Sequence, residues 1–411
     1  MVPRRQGGVQ RGGPAAYPEA VTSLRPLPVP AGPDALEVLP ALREALSGGP
    51  AVLPYAAHAQ PPVLPENAAR DAGDLPDGLS LVVGTSGSTG TPKLAMLTAA
   101  ALTASVTATD ERLGGPGQWL LAMPAHHIAG VQVLLRSVLA GTTPVVADLH
   151  NGFTPAAFTA AAAALTGRRR FTSLVPTQLL RLLDDRDGSS VLRTFDAVLV
   201  GGAASAPPLL ARARESGVRV VTTYGMSETA GGCVYSGVPL VGTCVRGEPG
   251  GRLHLGGATL ADGYLGRPDL TAAAFSTDSA GTRWFATDDV GHQDGDGHWH
   301  VDGRIDDLVN TGGLKVAPRP VEEALVAHVP GVAEAVVVGV PDPEWGEAVA
   351  AALVLRDGLA APSVAEVREA LRGWVPDHAL PRRVATLGAL PLRGPGKPDR
   401  SAIRSRLAHG T

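Results

Sequence analysis

Thr85-Ser86-Gly87-Ser88-Thr89-Gly90-Thr91-Pro92-Lys93 follows directly on the apolar run Leu81–Val83. Glycines let backbone N–H groups approach phosphate oxygens closely, and the hydroxyls add donors. Lys93 places a compact positive charge where a polyphosphate would sit. The string is not a Walker A loop, because Thr91-Pro92 precede the lysine where that motif has Gly. It is not Gly-x-Gly-x-x-Gly either. Taken by itself, a Gly/Ser/Thr stretch also reads as a plain turn. The chain downstream then carries weight. Leu81–Val83, Trp119–Met123, Pro144–Ala147, Phe171–Leu174, Ala197–Val200 and Val218–Thr222 read as buried strands. Val131–Leu139, Pro176–Leu183 and Pro207–Glu215 between them have helical spacing. Such alternation predicts a mainly parallel sheet covered by helices. Ligands of such sheets sit at the carboxyl ends of the strands.

The texture changes after about Gly242. Arg252–Leu255, Arg283–Phe285 and His298–Val301 are short runs between Gly and Asp turns, the pattern of antiparallel β structure. After Arg304 a new unit begins, with Val321–His328 helical, Ala335–Val340 and Val349–Leu355 as strands, and Val364–Trp374 as an amphipathic helix. The predicted fold class is therefore α/β. A large N-terminal domain of mainly parallel sheets covered by helices, with a small β subdomain, precedes a small α+β C-terminal domain. The expected divisions are a flexible tail over 1–20, a first domain over 21–305 and a second over 306–411.

Composition narrows the function. The chain has 411 residues, 44% hydrophobic and 18% charged, enough for more than one packed core. A net charge of −4 gives no electrostatic reason to expect nucleic acid or an anionic membrane. No run reaches the roughly 20 apolar residues of a membrane span. Arg4, Arg5 and Arg11 lie among Gly and Pro without the apolar stretch of a secretory signal. Cys233 and Cys244 lack the spacing of a zinc site and read as reduced thiols of a cytoplasmic protein.

Further motifs follow in order. Met123-Pro124-Ala125-His126-His127 and Gly201-Gly202-Ala203 each follow a predicted strand. Tyr224-Gly225-Met226-Ser227-Glu228-Thr229 offers a carboxylate suited to a hard cation. Then come Thr287-Asp288-Asp289, Gly303-Arg304-Ile305-Asp306-Asp307, Asn310-Thr311-Gly312-Gly313-Leu314-Lys315 and Pro395-Gly396-Lys397-Pro398-Asp399. Singly, each has a plain reading: a structural histidine, a solvated carboxylate, a β-turn, a surface lysine.

Together, the nine-residue loop and its successors resemble the adenylate-forming superfamily of acyl-CoA synthetases, adenylation domains and luciferases. The resemblance covers about residues 81–397 and implies roles. Thr85, Ser86, Gly87, Ser88, Thr89, Gly90 and Lys93 would cradle the phosphates of ATP. Gly202 and Ala203 would flank adenine, and Tyr224 would stack on it. Gly225 would border both nucleotide and acid, and Ser227 would touch the α-phosphate. Glu228 would hold Mg²⁺. Asp289 would bind the ribose hydroxyls and Arg304 ribose or phosphate. His127 would lie beside the acid. Asp306 would be the hinge of a mobile C-terminal domain, with Gly312 and Gly313 lining the CoA channel after it turns. Lys397 would bridge the carboxylate and α-phosphate during adenylation, so that Lys397, Glu228, His127 and Lys93 form the catalytic set. Two departures stand out: Asp288 replaces a glycine, and Leu314-Lys315 replace Glu-Asn.

The activity implied is an ATP-dependent acid–CoA ligase acting through an acyl-adenylate, with ATP, CoA and a small carboxylic acid as partners. The resemblance leaves room for a homodimer. Thr172–Leu183, Pro124–Gly130 and Leu134–Ser137 further resemble o-succinylbenzoate–CoA ligases of menaquinone biosynthesis. Arg181 would then receive the second carboxylate, for which a guanidinium fork is suited. Ligases of other aryl or short-chain acids, and a stand-alone adenylation domain that loads a carrier protein, are the alternatives.

Overall fold

A computed structural model describes residues 23–64, 75–85, 93–356, 358–393 and 397–409. The expected tail over 1–20 lies outside them, as do Ser86, Gly87, Ser88, Thr89 and Gly90.

Two sheets share one core. The first contains β1 (Leu24–Val29), β2 (Ala51–Ala56), β3 (Leu79–Gly84) and β4 (Leu94–Thr98), in that spatial order, with the short strand Gly263–Tyr264 beyond β4. β1, β2 and β3 are parallel, and β4 runs antiparallel to β3. The second sheet uses β5 (Gln118–Leu121), β6 (Val145–Val146), β7 (Arg170–Leu174), β8 (Ala197–Val200), β9 (Val220–Met226), β10 (Gly231–Tyr235) and β11 (Val238–Pro239). Its order is β11-β10-β9-β8-β7-β5-β6, parallel from β6 to β9 and antiparallel at β10 and β11.

The strand around Leu81–Val83 is therefore not part of the parallel sheet that follows it, which corrects the sequence reading. Its connection to β4 spans residues 85–93, shorter than the dozen or more residues a parallel crossover needs. The chain can only turn back.

Alternation along the strands of the second sheet separates its two faces. Trp119, Leu121, Phe171, Ala197 and Leu199 point into the core shared with the first sheet. Helices Ala99–Arg112 and Ile128–Leu139 fill that core. Leu120, Ala122, Val198 and Val200 point the other way, against helices Pro155–Ala162, Pro176–Asp184, Arg186–Leu192 and Pro207–Glu215.

Strands 243–247, 252–257, 275–277, 283–293 and 299–304 form the expected antiparallel sheet. Beyond it, strands 309–311, 314–316, 332–342, 346–355 and 383–386 form another, covered by helices Pro318–His328, Val364–Leu371 and Arg400–His409. Two cores there are built from described residues 309–407 only. The helix predicted over Val364–Trp374 stops at Leu371, because Arg372 is extended and Gly373 turns with φ +83°. Trp374 instead stacks on His328, ring centroids 3.8 Å apart.

Leu134, on helix Ile128–Leu139, is fully buried in the core the two sheets share. Leu134→Ala should cost about 3 kcal/mol in urea unfolding, as cavity-forming substitutions do. A loss under about 1 kcal/mol would show that this contact can collapse without a void.

Candidate active site

The ends of the two sheets meet at the turn Ser227–Thr229. Ser227 Oγ donates to the carbonyl of Gly84, the last residue of β3, at 3.0 Å. Thr85 N–H donates to Lys93 C=O at 2.8 Å, so the Gly/Ser/Thr stretch starts and finishes at the same place, beside Ser227. The turn itself is tied from three sides. Met226 N–H donates to Thr229 Oγ1 at 2.9 Å. Ser105 Oγ and Gln132 Nε2 both donate to Ala230 C=O, at 2.9 and 2.6 Å. Ala230 needs that support, since its φ of +52° is unusual for a residue with a Cβ.

Gly225 is required by close approach. A Cβ there would collide with the carbonyl oxygen of Gly231 and lie 2.7 Å from Gly232 Cα, across the β9–β10 pair. Both obstacles are backbone, which cannot swing aside.

Glu228 is buried in this turn. Its Oε1 accepts from Tyr264 Oη at 2.8 Å. Burial pushes the carboxyl above its usual range, opposed by the Tyr264 hydrogen bond and by the Lys93 charge. Lys93 Nζ lies 5.2 Å from the centre of the Tyr264 ring, a cation–π distance. Tyr264 thus touches both charged groups. Its own hydroxyl is held far above the usual phenol range by burial and by the neighbouring carboxylate. Sequence reading did not find Tyr264. It sits in Gly263–Tyr264, a two-residue strand whose pairing with Ala95 and Met96 of β4 is set only in three dimensions.

A second group lies one strand over. Tyr224 Oη donates to Asp289 Oδ2 at 2.7 Å, and Arg304 Nη1 stands 3.8 Å from Asp289 Oδ1. Burial raises the Asp289 carboxyl, while Tyr224 and Arg304 pull it down. Arg304 also pairs with Asp306 at 2.9 Å and Asp288 at 3.5 Å. Asp288 needs no glycine-like backbone: among the described residues only Ala230 and Ser236 have positive φ without being glycine. Its side chain is exposed and shared between Arg252, at 3.4 Å, and Arg304.

One line of contacts therefore joins Thr85, Lys93, Glu228 and Ser227, and another joins Tyr224, Asp289, Arg304 and Asp306. The rest are arranged around them. Gly202 and Ala203 are exposed just after β8, next to β9. A Cβ on Gly201 would meet Thr223 of β9. His127 is the exposed N-cap of helix Ile128–Leu139. The same helix supplies Gln132, and His127 has the half-buried His126 ring 4.3 Å away. Burial, then the neighbouring His127 and His58, push His126 down to about 4.

Three groups stand apart. Arg181 is exposed on helix Pro176–Asp184, in the layer opposite to His127, and reaches the carbonyl of Phe153 at 3.4 Å. Gly312 and Gly313 form a two-residue hairpin turn with φ +60° and +82° in the sheet that follows residue 308. Lys397 lies in a strand pair with Leu392–Arg393.

Mg²⁺ favours one or two carboxylates plus substrate phosphates over an all-protein cage. Among the described residues no group of three or more His, Cys, Asp or Glu could hold a metal. A single buried carboxylate beside a lysine fits that mode of binding.

A carboxyl must be ionised to hold a cation, so a cation held by Glu228 would be released as pH falls through its raised pKa. The Tyr264 hydroxyl stabilises the ionised form. Tyr264→Phe should therefore move the acid limb of the pH profile of kcat/KM for ATP to higher pH. It should also lower kcat/KM by about 10-fold, the scale of a hydrogen bond to a charged group. An unmoved acid limb would separate Tyr264 from the titrating group.

Residues 35–254 match the AMP-binding enzyme family, and residues 320–397 match the AMP-binding enzyme C-terminal domain. A probable 2-succinylbenzoate–CoA ligase of Mycobacterium tuberculosis is 45% identical over 387 residues, covering 94% of this chain and 99% of that protein. A feruloyl-CoA synthase of Amycolatopsis sp. is 34% identical over 371 residues, 81% of this chain and 72% of that one. The solved structure of o-succinylbenzoate coenzyme A synthetase (MenE) from Bacillus subtilis, in complex with ATP and magnesium ion, shares the fold. Its TM-score is 0.72 at 23% identity, over 94% of this chain and 89% of that one. No helix among the described residues is long and apolar enough to cross a membrane. With Thr85, Lys93, the buried glutamate and the Tyr224–Asp289 pair placed around the ends of the two sheets, the chain belongs to the AMP-binding enzyme family and is an AMP-forming acyl-CoA ligase that works through an acyl-adenylate.

Proposed function

We propose that the acid is o-succinylbenzoate and the product o-succinylbenzoyl-CoA, a step of menaquinone biosynthesis. The observation that carries this reading is the near-full-length similarity to the mycobacterial ligase. A second aryl substrate class is favoured by the similarity to the feruloyl-CoA synthase.

In the reaction a carboxylate oxygen of the acid attacks the α-phosphorus of ATP, and pyrophosphate leaves. The CoA sulfur then attacks the acyl carbonyl, and AMP leaves. Positioning and electrostatic stabilisation carry such transfers. Lys93 offsets charge on the departing pyrophosphate. Ser227 and the phosphate loop hold the α-phosphate side. Tyr224 provides a face for adenine, and Asp289 accepts from the ribose hydroxyls. Mg²⁺, when bound, would neutralise phosphate charge, and Glu228 is the residue that would hold it. Lys397 bridges the acid and the α-phosphate.

The chain divides into a domain over 21–305 and a mobile one over 306–411, turning about Asp306. Rotation would withdraw Lys397 and bring Gly312–Gly313 to the thiol channel. Such closure lets one enzyme complete two sites in sequence.

The test is AMP and pyrophosphate release with Mg²⁺, ATP and CoA across o-succinylbenzoate, benzoate, ferulate and short fatty acids. Strong turnover with o-succinylbenzoate alone is expected. Turnover with ferulate instead would select the second reading. Arg181→Ala should raise the KM for o-succinylbenzoate about tenfold, the cost of one lost ion pair, and leave that for ATP unchanged. Unchanged kinetics would keep Arg181 out of the acid site.

A further inference from the structure

Arg400 begins the last helix, three residues after Lys397. Three residues of chain reach at most about 10 Å, so whatever fixes Arg400 restricts Lys397. The hairpin that carries Lys397 has its root here: Asp399 N–H donates to Pro391 C=O at 2.8 Å, and Asp399 Oδ1 accepts from Ala402 N–H at 3.0 Å.

The Arg400 guanidinium is half-buried and makes contacts in three directions. Nη1 donates to Val337 C=O at 2.7 Å, in strand 332–342. The Glu322 carboxylate on helix Pro318–His328 receives Nη1 at 2.8 Å and Nη2 at 3.2 Å. Nε faces Asp307 Oδ2 at 3.3 Å, in the Ile305–Asp307 turn. Glu322 is itself held, because its Oε1 accepts from Val337 N–H at 2.8 Å. A fork with three fixed partners leaves the side chain little freedom. The partners are the residue beside the expected hinge, the helix that follows it and the edge strand 332–342 of the same sheet.

We propose that Arg400 is a positioning residue for adenylation: it ties the segment bearing Lys397 to Asp307 and Glu322, so that hinge and lysine move as one body. The inference rests on the assignment of Lys397 to adenylation. Without the clamp, Lys397 arrives at the α-phosphate in a spread of positions. Misplacement by about 1 Å can cost on the order of 100-fold in rate. Thioester formation, which uses the Gly312–Gly313 side of the domain, depends on it far less.

The two half-reactions are measured separately in the full-length enzyme: pyrophosphate release without CoA, and thioester formation from supplied o-succinylbenzoyl-adenylate. Arg400→Gln should lower the adenylation kcat by about 100-fold, with KM for ATP little changed and thioester formation retained. Asp307→Asn removes only the hinge-side negative charge and should act in the same direction more weakly, which keeps the question open to test if Arg400→Gln misfolds. Lys397→Ala should reduce adenylation to a small residual rate, and adding Arg400→Gln to it should lower that residual rate no further. Intact adenylation in Lys397→Ala would overturn the parent assignment. An equal fall of both half-reactions in Arg400→Gln and Asp307→Asn would overturn the positioning role. So would a full additional loss on top of Lys397→Ala.

Discussion

The hydrogen bond from Ser227 to the carbonyl of Gly84 is the contact on which the site depends. It joins two sheets that share a core but no strand. Each sheet brings one kind of chemistry to its carboxyl end. The first brings Thr85 and Lys93, and the second brings Tyr224 and Glu228. Neither alone brings the Lys93 cation and the buried Glu228 carboxylate together. The turn that bridges them is correspondingly constrained, with Gly225 pressed on the β10 backbone and Ala230 in a left-handed conformation held by Ser105 and Gln132.

Burial sets the electrostatics. Glu228 and Asp289 are carboxylates whose environments work against ionisation, and each is offset by a tyrosine hydroxyl and a cation. For Glu228 these are Tyr264 and Lys93, and for Asp289 Tyr224 and Arg304. An arrangement of this kind keeps a carboxylate ready for a ligand without leaving it unsatisfied. Asp288, placed where the superfamily has glycine, adds a charge that Arg252 and Arg304 share.

Much of the architecture was legible in the sequence because apolar periodicity reports burial directly. Pro207–Glu215 was read with its observed ends, and Pro176–Leu183 and Val131–Leu139 came within a few residues. The N-terminal strands were not read. β1 and β2 carry Pro26, Pro28 and Pro54, and proline within a run argues against a strand unless it lies at an edge or a tolerated position. The assignment of β3 to its own sheet was also out of reach, since periodicity identifies a strand without naming its neighbour.

The sequence by itself determined the family: the order of motifs carries the resemblance to the superfamily, and the roles of individual residues toward phosphate, cation and ribose are what that resemblance implies. The tertiary structure decided which of them meet. Tyr264 joined Lys93 to Glu228 through a two-residue strand without any local signal. Arg181 was placed on the helical layer away from His127. Arg400 was tied to Asp307 across 93 residues of chain. Contacts of that kind depend on packing between elements far apart in sequence, and local pattern carries no record of them.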